Sequence, residues 1–146
     1  MLMDTYFSWG LVVFWMGAIF YFSHQSAFES GRLSRRVTLF VVDLLKKAAP
    51  RVEVEEQKTH HIVRKNAHFF MYFVLGILLL NALQRSGAEG EWALLSAVFL
   101  SAVYAASDEF HQLFVPGRSG NVKDVFIDTA GSISGILLVW LTGWLR

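Results

Sequence analysis

Thr5 to Ser23 is a run of 19 residues without one charged side chain, and at about 1.5 Å per residue a helix of that length crosses the ~30 Å hydrocarbon layer of a bilayer. Three further runs of this kind follow. Asn66 to Gln84 holds no acidic or basic residue except His68, Trp92 to Ser107 is uncharged, and Val125 to Leu145 carries only Asp128. Four such stretches leave little chain for a soluble core. The 54% hydrophobic content and mean hydropathy of +0.42 agree with that reading. The expected architecture is all-α: an integral membrane four-helix bundle, one domain over residues 1-146, with spans at about 5-23, 66-84, 92-114 and 122-145.

The first span lacks the basic leader and small-residue cleavage site of a signal peptide. Asp4 is the only charge before it, and Phe20, Tyr21 and Phe22 close it, so it is expected to stay in the mature protein. The polar connection from His24 to Lys65 holds 9 of the 13 Lys and Arg residues. Within it Val37, Phe40, Val41, Leu44 and Leu45 recur at helical spacing between Arg35-Arg36 and Lys46-Lys47. That pattern suits an interfacial amphipathic helix lying among lipid headgroups, or one packed on the rest of the protein, and Pro50 is expected to end it. Arg85 to Glu91, with two glycines, makes an antiparallel hairpin of spans two and three. The third span is expected to run past Asp108 and Glu109 to about Phe114, where Pro116-Gly117 turns the chain. Asn121 is placed to N-cap the fourth span, with Asp124 three residues on.

Charge sets the expected orientation. The connections after spans one and three hold 11 of the 13 Lys and Arg residues, against Arg85 and Arg146 on the opposite side. By the positive-inside rule the two basic connections face the cytoplasm and both termini face out, which makes the chain a multi-pass protein of the cytoplasmic membrane. A net charge of +1 gives no bulk attraction to nucleic acid, so no nucleic-acid partner is expected. The absence of cysteine excludes disulfides, thiol nucleophiles and thiolate metal sites.

With this hairpin order, the end of span one, the start of span two, the end of span three and the start of span four meet at one membrane face. The unusual polar residues lie at those ends. Lys65, His68 and Tyr72 share a face of span two, and Ser101, Ala105, Asp108 and Gln112 share one of span three. Asp124 and Asp128 stand above Gly131 and Gly135 on span four, and Arg118 and Lys123 flank its start. Ionisable residues at membrane depth are costly and point to function. Asp108, Glu109, Asp124, Asp128 and His68 are therefore the candidates for catalytic work, and Lys65, His68, Tyr72, Gln112, Arg118 and Lys123 for binding a lipid or its phosphate. Asp108, Asp124 and Asp128 are candidate ligands for a hard divalent cation such as Mg.

Each residue also has a plainer role. Asp124 suits the positive end of a helix dipole, and Asp108 and Glu109 suit a helix leaving the membrane. His68 suits a hydrogen-bonded interface, Arg118 and Lys123 suit lipid-phosphate contacts, and Gly131-x-x-x-Gly135 suits close helix packing. Gly120-x-x-x-Asp124-x-x-x-Asp128 resembles the second half of the CDP-alcohol phosphotransferase signature, whose first half is missing here.

The pattern Lys65-x-x-His68-x-x-x-Tyr72-x-x-x-Gly76, then Asp108-Glu109-x-x-Gln112, Pro116-Gly117-Arg118, Asp124 and Asp128-Thr129-x-Gly131, resembles the VanZ-like family of small bacterial membrane proteins. Phe22-Ser23-His24-Gln25 resembles that family's Phe-Ser-x-Gln element. The resemblance implies a protein of the bacterial cell envelope; the family's namesake is associated with resistance to the glycopeptide teicoplanin, and no mechanism comes with it. Three functions follow from residues and resemblance together. The chain binds or acts on a phosphate-bearing lipid or lipid-linked cell-wall precursor. Alternatively it is a metal-dependent membrane enzyme acting on a lipid phosphate, or it is a structural subunit that binds a membrane partner protein or another copy of itself.

Overall fold

The computed structural model describes residues 2–48 and 55–143, and among them the chain is entirely helical: α1 (Leu2–His24), α2 (Ala27–Ala48), α3 (Glu56–Arg85), α4 (Gly90–Gln112) and α5 (Val122–Thr142). Four helices are long and apolar enough to cross a membrane, namely Leu2–His24, Ile62–Arg85 within α3, Gly90–Gln112 and Val122–Thr142. α2 stands between the first and second of them. Large apolar side chains such as Phe14, Phe99, Phe126 and Leu141 are exposed, as lipid-facing residues must be when the surrounding medium is hydrocarbon.

Two boundaries differ from the expected ones for identifiable reasons. No glycine or proline interrupts residues 56–75, so α3 starts at Glu56, well before the charges end, and its 30 residues exceed the length a bilayer needs. α4 stops at Gln112, two residues short of Phe114. There the chain tightens into a turn, with Phe114 N–H donating to the His111 carbonyl at 3.0 Å and Val115 N–H to Gln112 at 3.1 Å. Pro116 cannot continue a helix and disfavours helical backbone in the residue before it. Asn121 caps α5 as expected, its side chain accepting from Lys123 N–H at 3.0 Å. Pro50 lies outside the described residues.

α2 is longer than the Val37–Leu45 pattern indicates. It turns Thr38 and Val42 inward, while Val37, Phe40 and Leu44 are exposed. α2 thus packs on α3 through Thr38 and Val42, with Val41 half-buried, and leaves Val37, Phe40 and Leu44 open to its surroundings.

The core is pinned by α3 against α5. A Cβ added at Gly131 would collide with the Phe69 carbonyl oxygen, one at Gly135 with that of Phe73, and one at Gly76 with that of Ser132. Such backbone contact is available only where the side chain is a hydrogen. Ser132 Oγ donates to the Tyr72 carbonyl at 3.0 Å across the same seam. α1 is tied on by Trp15 Nε1 to the Met71 carbonyl (2.8 Å) and by Tyr104 hydroxyl to the Met16 carbonyl (2.6 Å). Leu75, Leu79, Leu80, Ile136 and Val139 fill the space between. The result brings the C-terminal ends of α1 and α4 beside the first buried turns of α3 and α5.

Candidate functional site

Because α1 and α4 end where the membrane-crossing part of α3 and the whole of α5 begin, polar residues that would be isolated on single helices meet. Asp108 (3% exposed) and Glu109 (6%) come from α4, Asp128 (1%) from α5, and Tyr72 (0%) from α3. A cavity of about 20 Å³ opens onto Glu109 and Asp128, and a single water needs roughly 10–15 Å³ on that scale. Its outer part is bordered by Arg64, Lys65 and Asp124, and its inner part by His68, Asp128, Glu109 and Gln112.

The outer layer is basic and largely cross-linked. Lys65 Nζ lies 2.9 Å from Asp124 Oδ1. Arg118 is the strap of the site. Its Nε donates to the Gln25 carbonyl at 2.9 Å, Nη2 to the Phe22 carbonyl at 3.0 Å and Nη1 to Gln112 Oε1 at 3.3 Å. It thereby satisfies carbonyls at and just beyond the end of α1 that have no helical partner. Of the five guanidinium N–H groups, two remain. Burial first, then the neighbouring Arg64 charge, lowers the proton affinity of Arg118, while Asp108 and Glu109 counter that; a guanidinium stays charged nonetheless.

Glu109 is committed to architecture. Oε2 accepts from Asn121 N–H at 2.8 Å and Oε1 from Gln112 Nε2 at 3.2 Å, which fixes the turn between α4 and α5. Asp108 is half committed, since Oδ2 accepts from Ser23 Oγ at 2.8 Å and Gln112 Nε2 at 3.2 Å, while Oδ1 has no hydrogen-bond partner among the described residues. Asp128 is uncommitted, because neither carboxylate oxygen is hydrogen-bonded there, and the buried Tyr72 hydroxyl has no partner either. His68 Nδ1 lies 3.9 Å from Asp128 Oδ2, too far for a hydrogen bond. His68, Asp108 and Asp128 each offer one ligand atom within 4.8 Å of the other two.

A family model described as VanZ/LLP1 matches residues 8–143. The chain belongs to the VanZ/LLP1 family. No curated protein and no solved structure matches it. The match spans all four membrane-crossing helices, so this VanZ/LLP1 chain is a membrane protein of that family from its first span to its last.

The sequence-based site residues of the VanZ/LLP1 chain divide into groups. Lys65, His68, Tyr72, Asp108, Glu109, Gln112, Arg118, Asp124 and Asp128 meet at the helix ends. Lys123 is exposed and does not border the cavity. Asp124 pairs with Lys65, so the carboxylates that share a potential ion are Asp108 and Asp128, joined by His68 rather than by Asp124. One residue escapes the sequence reading: Arg64 reads as one more charge of the connection, and a helical charge adjacent to Lys65 is what signals it. Ser23 is marked by the Phe-Ser-x-Gln element, but its bond to Asp108 is visible only in the fold.

Proposed function

We propose that this VanZ/LLP1 protein holds the phosphate head of a lipid or lipid-linked cell-wall precursor at the mouth of the polar cluster, within the cytoplasmic membrane of a bacterial envelope. The observation that carries the reading is the layering of charge. Arg64 and Lys65 stand outermost at a cavity rimmed by helix ends, with Arg118 bonded to its wall residue Gln112, and the carboxylates Glu109 and Asp128 stand behind them. The cavity is far too small for a headgroup, so the phosphate sits at the mouth while one of its oxygens reaches inward. A phosphate there accepts charge-assisted bonds from Arg64, from Lys65 once it leaves Asp124, and from the two uncommitted Arg118 N–H groups. The acyl or prenyl chain runs along the exposed aromatic and aliphatic flanks of the helices, in the bilayer.

The basic connections orient this mouth toward the cytoplasm, with both termini outside. Glycopeptides act outside that membrane. Any influence on such drugs therefore runs through a precursor before its export.

The test is binding of a short-chain polyprenyl phosphate and of the matching polyprenol to the purified protein in detergent with chelator present. A charge-assisted hydrogen bond is worth about 1.5–3 kcal/mol, or roughly 10- to 100-fold in affinity. The phosphate form is expected to bind at least that much more tightly, and Arg64→Gln with Lys65→Gln to erase the difference. Equal binding of the phosphate and the alcohol by wild type overturns the reading.

A further inference from the structure

Two buried carboxylates facing each other without a cation are energetically costly, and something must neutralise them. Around Asp108 and Asp128 no described lysine or arginine pairs with them, since Lys65 is held by Asp124 and Arg118 is turned to the end of α1 and to Gln112. Four buried oxygens there lack hydrogen-bond partners among the described residues: Asp108 Oδ1, both oxygens of Asp128 and the Tyr72 hydroxyl. They come from three helices. The nearest ring nitrogen, His68 Nδ1, sits 3.9 Å from Asp128 Oδ2. That is wrong for a hydrogen bond but right for two atoms sharing an ion, because ligands about 2.1 Å from a metal lie ~3 to 4.2 Å apart.

We propose that His68, Asp108 and Asp128 bind a divalent first-row transition-metal ion, with the Tyr72 hydroxyl beside it. The donor set decides the class of ion. Imidazole with carboxylates suits Mn, Fe, Co or Zn, whereas Mg prefers oxygen alone and keeps several waters. A cavity of about 20 Å³ has no room for such a shell. Ser23 Oγ and Gln112 Nε2 already orient Asp108 through the oxygen that the ion does not take. An ion here also presents positive charge toward the basic mouth, where an incoming anionic oxygen completes its coordination. The ion site rests on ligand geometry alone and does not depend on the lipid reading.

The experiment is titration of the chelator-stripped full-length protein in detergent, free of phosphate lipid, with Co²⁺ followed by visible absorption and with Mn²⁺ followed by electron paramagnetic resonance. One ion per chain is expected, with a Co²⁺ spectrum typical of mixed nitrogen and oxygen ligands. His68→Gln and Asp128→Asn should each weaken binding by at least about 100-fold, beyond the 10- to 100-fold cost of losing a supporting contact. Glu91→Gln, at an exposed carboxylate in the first turn of α4 and away from the ligand set, should bind as wild type does. Wild type alone decides if a variant does not fold: no stoichiometric ion, or several weak ones at the surface, overturns the site and assigns the carboxylates a shared proton. Equal loss in Glu91→Gln overturns the ligand assignment. Metal failure with polyprenyl phosphate still bound, or the reverse, separates this inference from the proposed function.

Discussion

Asp128 is 1% exposed and accepts no hydrogen bond among the described residues, so its replacement separates two states of the protein. In metal-stripped protein an isolated buried carboxylate is a burden, and Asp128→Asn should leave the melting temperature unchanged or raised. With a bound ion the sign reverses, and the variant should melt below loaded wild type; thermal melts with and without Mn²⁺ read both. Ser23→Ala removes a hydroxyl that donates to a buried carboxylate at 2.8 Å and should cost about 1–3 kcal/mol, measured by chemical denaturation in detergent. At this scale the sequence was legible wherever charge interrupts an apolar run, as at His68, Asp108 and Asp128. It was illegible where the side chain is ordinary for its surroundings. Ser23 and Tyr72 were marked by position, but that α4 brings Asp108 beside Ser23, and that no described residue reaches the Tyr72 hydroxyl, only the fold shows.

Between elements, the seam of α3 and α5 is set by backbone contact. Gly131→Ala and Gly135→Ala place a methyl against the carbonyls of Phe69 and Phe73, and each should destabilise by about 1–3 kcal/mol as α5 is pushed off α3. Gly17 meets nothing within 4 Å, so Gly17→Ala should be neutral or should stabilise by up to ~1 kcal/mol through helix propensity. The same denaturation measurement compares all three. The spacing of Gly131 and Gly135 marked this packing in advance. The start of α3 was not marked, because the span was bounded by charge, whereas a helix is bounded by caps and breakers, and none interrupts residues 56–75. Likewise the Val37, Phe40 and Leu44 stripe identified α2, but only the fold shows that Thr38 and Val42 face inward and leave that stripe exposed.

For the whole molecule, four crossings in hairpin order put the α4–α5 turn and the α1–α3 connection on one side, with the α3–α4 turn opposite. The native chain has no cysteine, so single cysteines introduced at Ser119 and Ala88 report topology cleanly. Labelling of intact cells with an impermeant thiol reagent should modify Ala88→Cys and spare Ser119→Cys, and the opposite pattern would invert the charge-based orientation. The central claim is that the helix ends converge to hold a phosphate-bearing lipid, and native mass spectrometry of protein released directly from its membranes tests it most directly. Wild type should retain a lipid phosphate that Arg64→Gln/Lys65→Gln loses while keeping its fold. The same lipid on both proteins, or none on either, would contradict the account.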